Sequence, residues 1–313
     1  MKKVIIDCDP GHDDVLALMS AFANRDQIDL LGITTVAGNQ TLDKVTNNIL
    51  KVQDYLGFHY PVYRGYDAPL IKPVDVQPQA HGETGLDGPD IPEPYSKPRA
   101  MHAIEFMKKS LLENDLVTII CIGPLTNMAL FLKTYPELKS HIEQIIIMGG
   151  SVYSGNARVK AEFNIYHDPE AASIVFHSSV PLVMSGLEVC YNGAILLSEI
   201  EKIDRTSGKA SLLARDILDF YKGWAIRRGM NKTAIFDMTT IAYLLYPEWF
   251  VAEQMNVDIE CNGIYTQGMT VCEEISPASR INNPVTVLMD IDREAFMDFF
   301  FSALSILDKE CIE

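Results

Sequence analysis

Basic residues are scarce in this chain: 26 lysines and arginines face 42 aspartates and glutamates, a formal net charge of -16 over 313 residues. A surface that tracks a phosphate backbone or settles on an anionic bilayer needs the opposite sign, so neither nucleic acid nor membrane is an expected partner. No apolar run reaches the roughly 20 residues that cross a bilayer. The opening MKKVIIDCDP holds a short apolar run, but Asp7 interrupts it far too early for the core of a secretory leader. Cysteine is sparse as well. Cys8, Cys121, Cys190, Cys261, Cys272 and Cys311 are scattered, without the close pairs of zinc or redox motifs. Disulfide scaffolds belong to small secreted chains, so reduced core cysteines and a cytoplasmic location are expected.

What the chain has in quantity is apolar: 48% of residues are hydrophobic, enough for a sizeable core. Strand-like and helix-like segments alternate from the start. Strands are predicted at 3–6, 30–35, 61–63, 117–122, 145–148 and 181–184, and helices at 15–23, 42–56, 101–112, 127–132 and 169–176. Repeated βα units imply an α/β fold with a largely parallel sheet flanked by helices. Past residue 195 the pattern changes. A long helix at 212–228 precedes IFDMTTIAYLLY, then strand-like MNVDIEC, GMTVCEE and PVTVLMDI, and a last helix in REAFMDFFFSALSIL. These read as a helical and strand C-terminal elaboration. No composition break or low-complexity linker intervenes, so residues 1–313 are expected to form a single domain. The longest stretch without predicted structure is 64–98, rich in proline and glycine, a length typical of functional or disordered loops.

Polar, glycine-containing segments follow the strands: DCDPGHDD, VAGNQ, HGETGLDG, IGPLTN and MGGSVYSGNARVKAEFN. In an open parallel sheet they emerge at the carboxyl ends of the strands, where ligands bind. The first holds four aspartates, Asp7, Asp9, Asp13 and Asp14, within eight positions around a Pro-Gly turn. Such a cluster persists only if a cation neutralises it, if protons are shared, or if the groups face apart. A helix dipole supplies just about 0.3 to 1 kcal/mol per favourable charge, whereas two carboxylates sharing a site raise one pKa by several units. A hard divalent cation is the better neutraliser, and Ca²⁺ takes roughly 6 to 8 oxygens from carboxylates, carbonyls and water. The bland alternative, Asp13 and Asp14 capping the helix while Asp7 orients the turn, serves any one aspartate but poorly serves four together. His12, alone in the turn, reads as a solvated or packing residue rather than a ligand.

Taken in order, IIDCDPGHDDVLAL, VAGN, HGETGLDG, GPLTNMA, IIMGG and AEFNIYHDPEAA resemble the nucleoside N-ribohydrolases, the inosine-uridine preferring nucleoside hydrolase family. The likeness runs from residue 4 to about residue 190, with a weaker echo at Phe236, Asp237 and the closing strands. It implies Ca²⁺-dependent hydrolysis of the N-glycosidic bond of free ribonucleosides to nucleobase and ribose, by a homo-oligomer, dimer or tetramer. By position, Asp9, Asp14, Asp237 and the Ile122 carbonyl would hold the metal, and Asp9 would take a proton from a Ca²⁺-bound water. Asp13, Asn39, Asn156, Glu162, Asn164 and Asp237 would bind the sugar hydroxyls. Met148 would line the same pocket, and His81 would stand beside the base as a second catalytic candidate. The chemistry calls for such an array, because departure of the base leaves an oxocarbenium-like sugar that needs a poised water and geometry-fixing contacts.

Several assignments have plainer rivals. Asn156 in YSGNARVK equally suits an ordinary turn. AEFNI alternates, which places Glu162 and Asn164 on one face of an extended segment. His81 beside Gly82 also fits a loop residue, and Asp237 a cap for the helix beginning near Met238. Tyr221 and Trp224 in DFYKGWAIRRG are candidate lids for a base, although aromatics at helical spacing are usually core.

One departure concerns the leaving group. In pyrimidine-handling and broad-specificity members a histidine precedes the last metal aspartate, and here that place is Phe236, an aromatic as in the purine-preferring branch. With His81 retained, the mixture implies a weakened or relocated general acid and a modest lean toward purine ribosides. Two rivals from other classes fit part of the pattern. Asp7-Cys8-Asp9 suits an Asp-x-Asp phosphatase, but the threonine expected after it is absent. A non-catalytic nucleoside or sugar-binding module would keep the pocket without turnover.

Overall fold

The computed structural model describes residues 1–76 and 78–310, except the side chain of Trp224. The expected role of Trp224 and the sixth cysteine, Cys311, therefore lie outside what it describes. In chain order the strands are β1 (Lys2–Cys8), β2 (Ile28–Thr35), β3 (Val62–Arg64), β4 (Val117–Cys121), β5 (Ile142–Met148), β6 (Leu182–Ser185), β7 (Ile195–Leu196), β8 (Lys232–Thr233), β9 (Phe250–Ile259), β10 (Thr270–Glu274) and β11 (Pro284–Ile291). Nine of them form one sheet in the order β10-β9-β11-β6-β5-β4-β1-β2-β3, while β7 and β8 make a separate small ribbon. Only β9 runs antiparallel to its neighbours, β10 and β11. The fold is α/β as expected, and the C-terminal strands extend the same sheet, with β11 parallel beside β6.

From β1 the chain steps outward through β2 and β3, then returns to β4 on the other side of β1 and steps away through β5 and β6. The order therefore reverses between β1 and β4, which opens a crevice at the carboxyl ends of these strands. Register fixes what lies there. Asp7 pairs with Thr34 of β2 and with Cys121 of β4, so Asp9 and Ile122 emerge together just beyond the sheet. Val4, Ile5, Ile6 and Cys8 are all fully buried, because both faces of the sheet are covered.

Asp7 is the polar exception in β1. Its Oδ1 accepts from Thr34 Oγ1 at 2.5 Å and from Asn127 Nδ2 at 2.7 Å, and Asn127 also donates to the Thr35 carbonyl. This aspartate thus ties β1 to β2 and to the helix Thr126–Thr134, and burial pushes its pKa up to about 7.

The helix after β1 spans His12–Ala23, three residues earlier than apolar periodicity places it. Asp14 reaches back to accept from the Gly11 backbone N–H at 2.9 Å, so the acidic first turn is already helical. Every residue of this helix except Asp13 is buried. It packs against the helices Met238–Leu245 and Arg293–Glu310, and each buried Leu or Phe contributes about 1.5 to 3 kcal/mol.

Other expectations shift. The AEFNI segment is not extended: Glu162 caps the helix Phe163–His167, because its carboxylate accepts backbone N–H groups of the first turn. Within 64–98 the chain forms a helical turn, Pro78–His81. Cys261 and Cys272 are half-buried rather than core, and none of the five described cysteines forms a disulfide. No helix among the described residues is long and apolar enough to cross a membrane.

Candidate active site

Asp9 stands at the head of the crevice and is fully buried. Its Oδ2 accepts the backbone N–H of Asn39 at 2.6 Å, while its Oδ1 has no hydrogen-bond partner among the described residues. Two glycines make room for it. A Cβ at Gly38 would lie 2.1 Å from Asp9 Oδ2, and one at Gly123 would lie 2.7 Å from Oδ1. VAGN and IGP therefore carry glycine because each loop backbone closes directly over one oxygen of this carboxylate. Burial, with the neighbouring Asp14 adding to it, holds the pKa of Asp9 well above the ordinary carboxylate range.

Asp14 accepts three donors: the Asp9 and Gly11 backbone N–H groups at 3.1 and 2.9 Å, and Asn39 Nδ2 at 3.1 Å. Asn39 Nδ2 also donates to the Asp9 carbonyl at 3.2 Å, so one amide braces both aspartates. Burial pushes Asp14 up to about 7. Carboxylate oxygens of Asp13, Asp14 and Asp237 lie within 4.8 Å of one another. Asp9, expected among the metal ligands, stands beside this group rather than in it, and Asp13, expected on the sugar, is inside it. Burial and then the Asp13 charge raise Asp237 strongly, while Asp13 is raised by burial against a 3.0 Å hydrogen bond from the Tyr221 hydroxyl.

Carboxylates this crowded are consistent with a cation site. None of the ion pairs among the described residues takes up any of them. The donor set is all oxygen, which suits a hard divalent ion. The Ile122 carbonyl, just beyond the end of β4, accepts Asn164 Nδ2 at 3.0 Å, which leaves it a second lone pair.

On the β5 side, Asn164 Nδ2 also donates to the Met148 carbonyl at 3.0 Å, so both residues line the crevice. Glu162 Oε2 accepts from the Gly150 and Ile165 backbone, and Oε1 from Asn164 N. Its pKa is pushed up to about 7 because burial outweighs these donors. Asn156 is not brought in: it is exposed, on the loop 149–162, and its Oδ1 accepts the Phe163 N–H at 2.9 Å.

His81 closes the opposite side, buried and 3.2 Å from His12 through their Nδ1 atoms. His12 is fully buried, not solvated, and so fulfils the packing half of its expectation. Phe236 is half-buried and edge-on to Tyr191, with centroids 5.8 Å apart. Tyr221 is a site residue that local pattern favoured as core. The helix Lys209–Arg227 delivers it across 208 positions to Asp13, a closure no sequence window reveals.

Residues 4–298 match the model of the family described as inosine-uridine preferring nucleoside hydrolase. The chain belongs to that family. It is a ribonucleoside hydrolase acting on N-glycosyl bonds. This nucleoside hydrolase is 43% identical over 307 residues, 96% of its length and 97% of the relative's, to a pyrimidine-specific ribonucleoside hydrolase RihA of an Enterobacter species. It is 41% identical over 305 residues, again 96% and 97% of the two chains, to the Escherichia coli protein of the same name. Among solved structures, a purine-preferring ribonucleoside hydrolase from Gardnerella vaginalis superposes with a TM-score of 0.90 at 29% identity, covering 99% of this chain and 100% of the other. The plant nucleoside hydrolase PpNRh1 gives 0.90 at 26%, covering 97% and 99%.

Proposed function

We propose that this nucleoside hydrolase cleaves free ribonucleosides with a Ca²⁺ ion held by Asp14, Asp237, Asp9 and the Ile122 carbonyl. The observation that carries the reading is Asp9 Oδ1, fully buried and unpartnered beside three converging carboxylates. Bound there, the cation offsets the carboxylate charges and acidifies a water.

The chain's own residues do the rest. Asp9 takes a proton from the attacking water at Oδ1, while the Asn39 N–H holds Oδ2 and fixes the carboxylate plane. A positioned base contributes typically about 10² to 10⁴-fold. Asn39 and Asn164 have their Nδ2 groups engaged by the protein, so their Oδ1 atoms accept sugar hydroxyls. Asp13 and Glu162 bind further hydroxyls, and their charge favours the cationic sugar that forms as the base departs. Asn156 reaches the sugar only when its loop folds inward. Met148 lines the sugar side, while Phe236 and His81 face the base.

Phe236 donates no proton, so leaving-group assistance falls to another group or to water. The relatives' names divide on base preference, pyrimidine-specific at 43% identity and purine-preferring at 29%. We keep the modest purine lean that follows from Phe236. The working molecule in this reading is a cytoplasmic homo-oligomer, dimer or tetramer, which light scattering decides.

Against the phosphatase alternative, Asp7 lies within β1 and its Oδ1 is taken up by Thr34 and Asn127, tying strands together. Reducing sugar released from a nucleoside panel, beside phosphate released from a phosphate monoester, tests the proposal. Sugar without phosphate is expected. Phosphate release at a comparable rate, or tight nucleoside binding with no sugar over hours, would overturn it.

A further inference from the structure

One buried amide outside the mechanism above touches two parts of the site at once. The loop 82–87, which follows His81, is fastened by three side chains around the start of the helix Leu42–Leu56. Gln40 Nε2 donates to the Gly82 carbonyl at 3.3 Å, Lys44 Nζ to the Glu83 carbonyl, and Asn48 Nδ2 to the Thr84 carbonyl at 3.0 Å. Three consecutive carbonyls are thus held by donors spaced four residues apart. Gly85 lies against this row: its φ of +83° suits glycine, and a Cβ there would lie 3.2 Å from Asn48 Nδ2.

Asn48 also reaches the aspartate turn. It is buried, and its Nδ2 donates to the Pro10 carbonyl at 2.9 Å as well. A primary amide has two N–H groups, so both are committed, one to the loop and one to the turn. The Pro10 carbonyl and the Gly11 N–H belong to one planar peptide, and that N–H donates to Asp14 Oδ2 at 2.9 Å. Holding the carbonyl therefore aims the N–H at the carboxylate. The residue ahead of the loop presses on the same peptide, because a Cβ at Gly11 would lie 2.7 Å from His81 Nδ1.

We propose that Asn48 is a positioning residue that couples the loop 82–87 to the ion-binding carboxylates through the Pro10–Gly11 peptide. With the loop seated, Asn48 is held by Thr84 and keeps the peptide turned so that the Gly11 N–H braces Asp14 for the ion. When the loop lifts, the amide turns with it and Asp14 loses that brace. Coupling of this kind is reciprocal: an ion gripped more tightly with the loop seated must in turn hold the loop down. Outer-shell partners of metal-binding groups are typically worth about 10 to 100-fold in affinity. The inference rests on the reading that these carboxylates hold Ca²⁺.

The test is amide hydrogen exchange over residues 82–87, read by mass spectrometry in chelator-stripped and Ca²⁺-loaded protein, beside calorimetric titration with Ca²⁺. In the wild type the ion should slow exchange of the loop at least about fivefold. Asn48→Leu keeps the branched shape and removes both donors. Its Kd for Ca²⁺ should rise at least about tenfold, and its loop should exchange equally fast with and without saturating ion.

Lys44→Met is the control, because it removes one fastener of the loop and leaves the Asn48 amide in place. Exchange over 82–87 should quicken in both states, while the factor by which Ca²⁺ slows it is retained. A wild-type loop whose exchange ignores Ca²⁺ would overturn the coupling, and this reading needs no variant to fold. Loss of the Ca²⁺ response in Lys44→Met and Asn48→Leu alike would make Asn48 one fastener among three and overturn its role as the link, as would an unchanged Kd in Asn48→Leu. If calorimetry finds no Ca²⁺ bound by the wild type, the ion reading fails and the coupling falls with it. Ca²⁺ binding with an unresponsive loop removes the coupling alone.

Discussion

The Asn39 backbone N–H donates to Asp9 Oδ2 at 2.6 Å, and Oδ1 of the same buried carboxylate has no partner among the described residues. One oxygen is anchored and the other is free to act, the arrangement a general base requires. Asp9→Asn keeps the shape and removes the basicity. Its kcat should fall at least about 10²-fold, with unchanged circular dichroism. Near-native turnover at saturating Ca²⁺ would assign water activation to another residue.

Gly123 tests the free oxygen from the other side. A Cβ there would sit 2.7 Å from Asp9 Oδ1. Gly123→Ala should cost about 1 to 3 kcal/mol of stability as an overpacked site, read from urea unfolding. It should also lower kcat more than tenfold by displacing the carboxylate. Stability loss with full turnover would show that Oδ1 is not the working atom.

Glu162 makes stability depend on pH. Its folded pKa of about 7 lies above the ordinary value of 4.5 because burial disfavours the charge. Below pH 4.5 both folded and unfolded states hold the proton and nothing is lost. As pH rises, the unfolded state ionises first, so the contribution declines and is gone once pH passes the folded pKa. Glu162→Gln cannot ionise, so its stability relative to wild type should climb by roughly 1.4 kcal/mol per pH unit across that window. A difference that stays flat from pH 4.5 to 7.5 in urea titrations would place the carboxylate in solvent.

Phe236 can stack on a base but transfers no proton, and stacking is worth only about 0.5 to 1.5 kcal/mol beyond area burial. Phe236→His should therefore speed hydrolysis of inosine and uridine while leaving p-nitrophenyl riboside, whose leaving group needs no acid, unchanged. A uniform response of all three substrates would make Phe236 a packing residue.

Much of this architecture was legible in the chain because its signals are local. The apolar runs of β1, β4 and β5 and the glycine-containing loops after them specify a parallel sheet and the edge where they converge. The family motifs carried Asp9, Asp14, Ile122 and Asn164 to one crevice. What stayed hidden depends on closure over long separations or on competition between local rules. Tyr221 meets Asp13 across 208 positions, and His12 meets His81 across 69. At AEFNI, alternation suggested a strand, but the Glu162 carboxylate collects first-turn N–H groups and starts a helix instead. The start of the His12–Ala23 helix was obscured in a similar way, because its first turn is acidic while apolar periodicity begins only at Val15.

The most direct measurement is ribose release from inosine and uridine by protein stripped with a chelator and then titrated with Ca²⁺. The carboxylate cluster and the orphaned Asp9 oxygen predict negligible release after stripping and saturable recovery at one ion per chain. Full activity in the stripped protein, confirmed metal-free by elemental analysis, would contradict a cation-dependent hydrolase built on these aspartates.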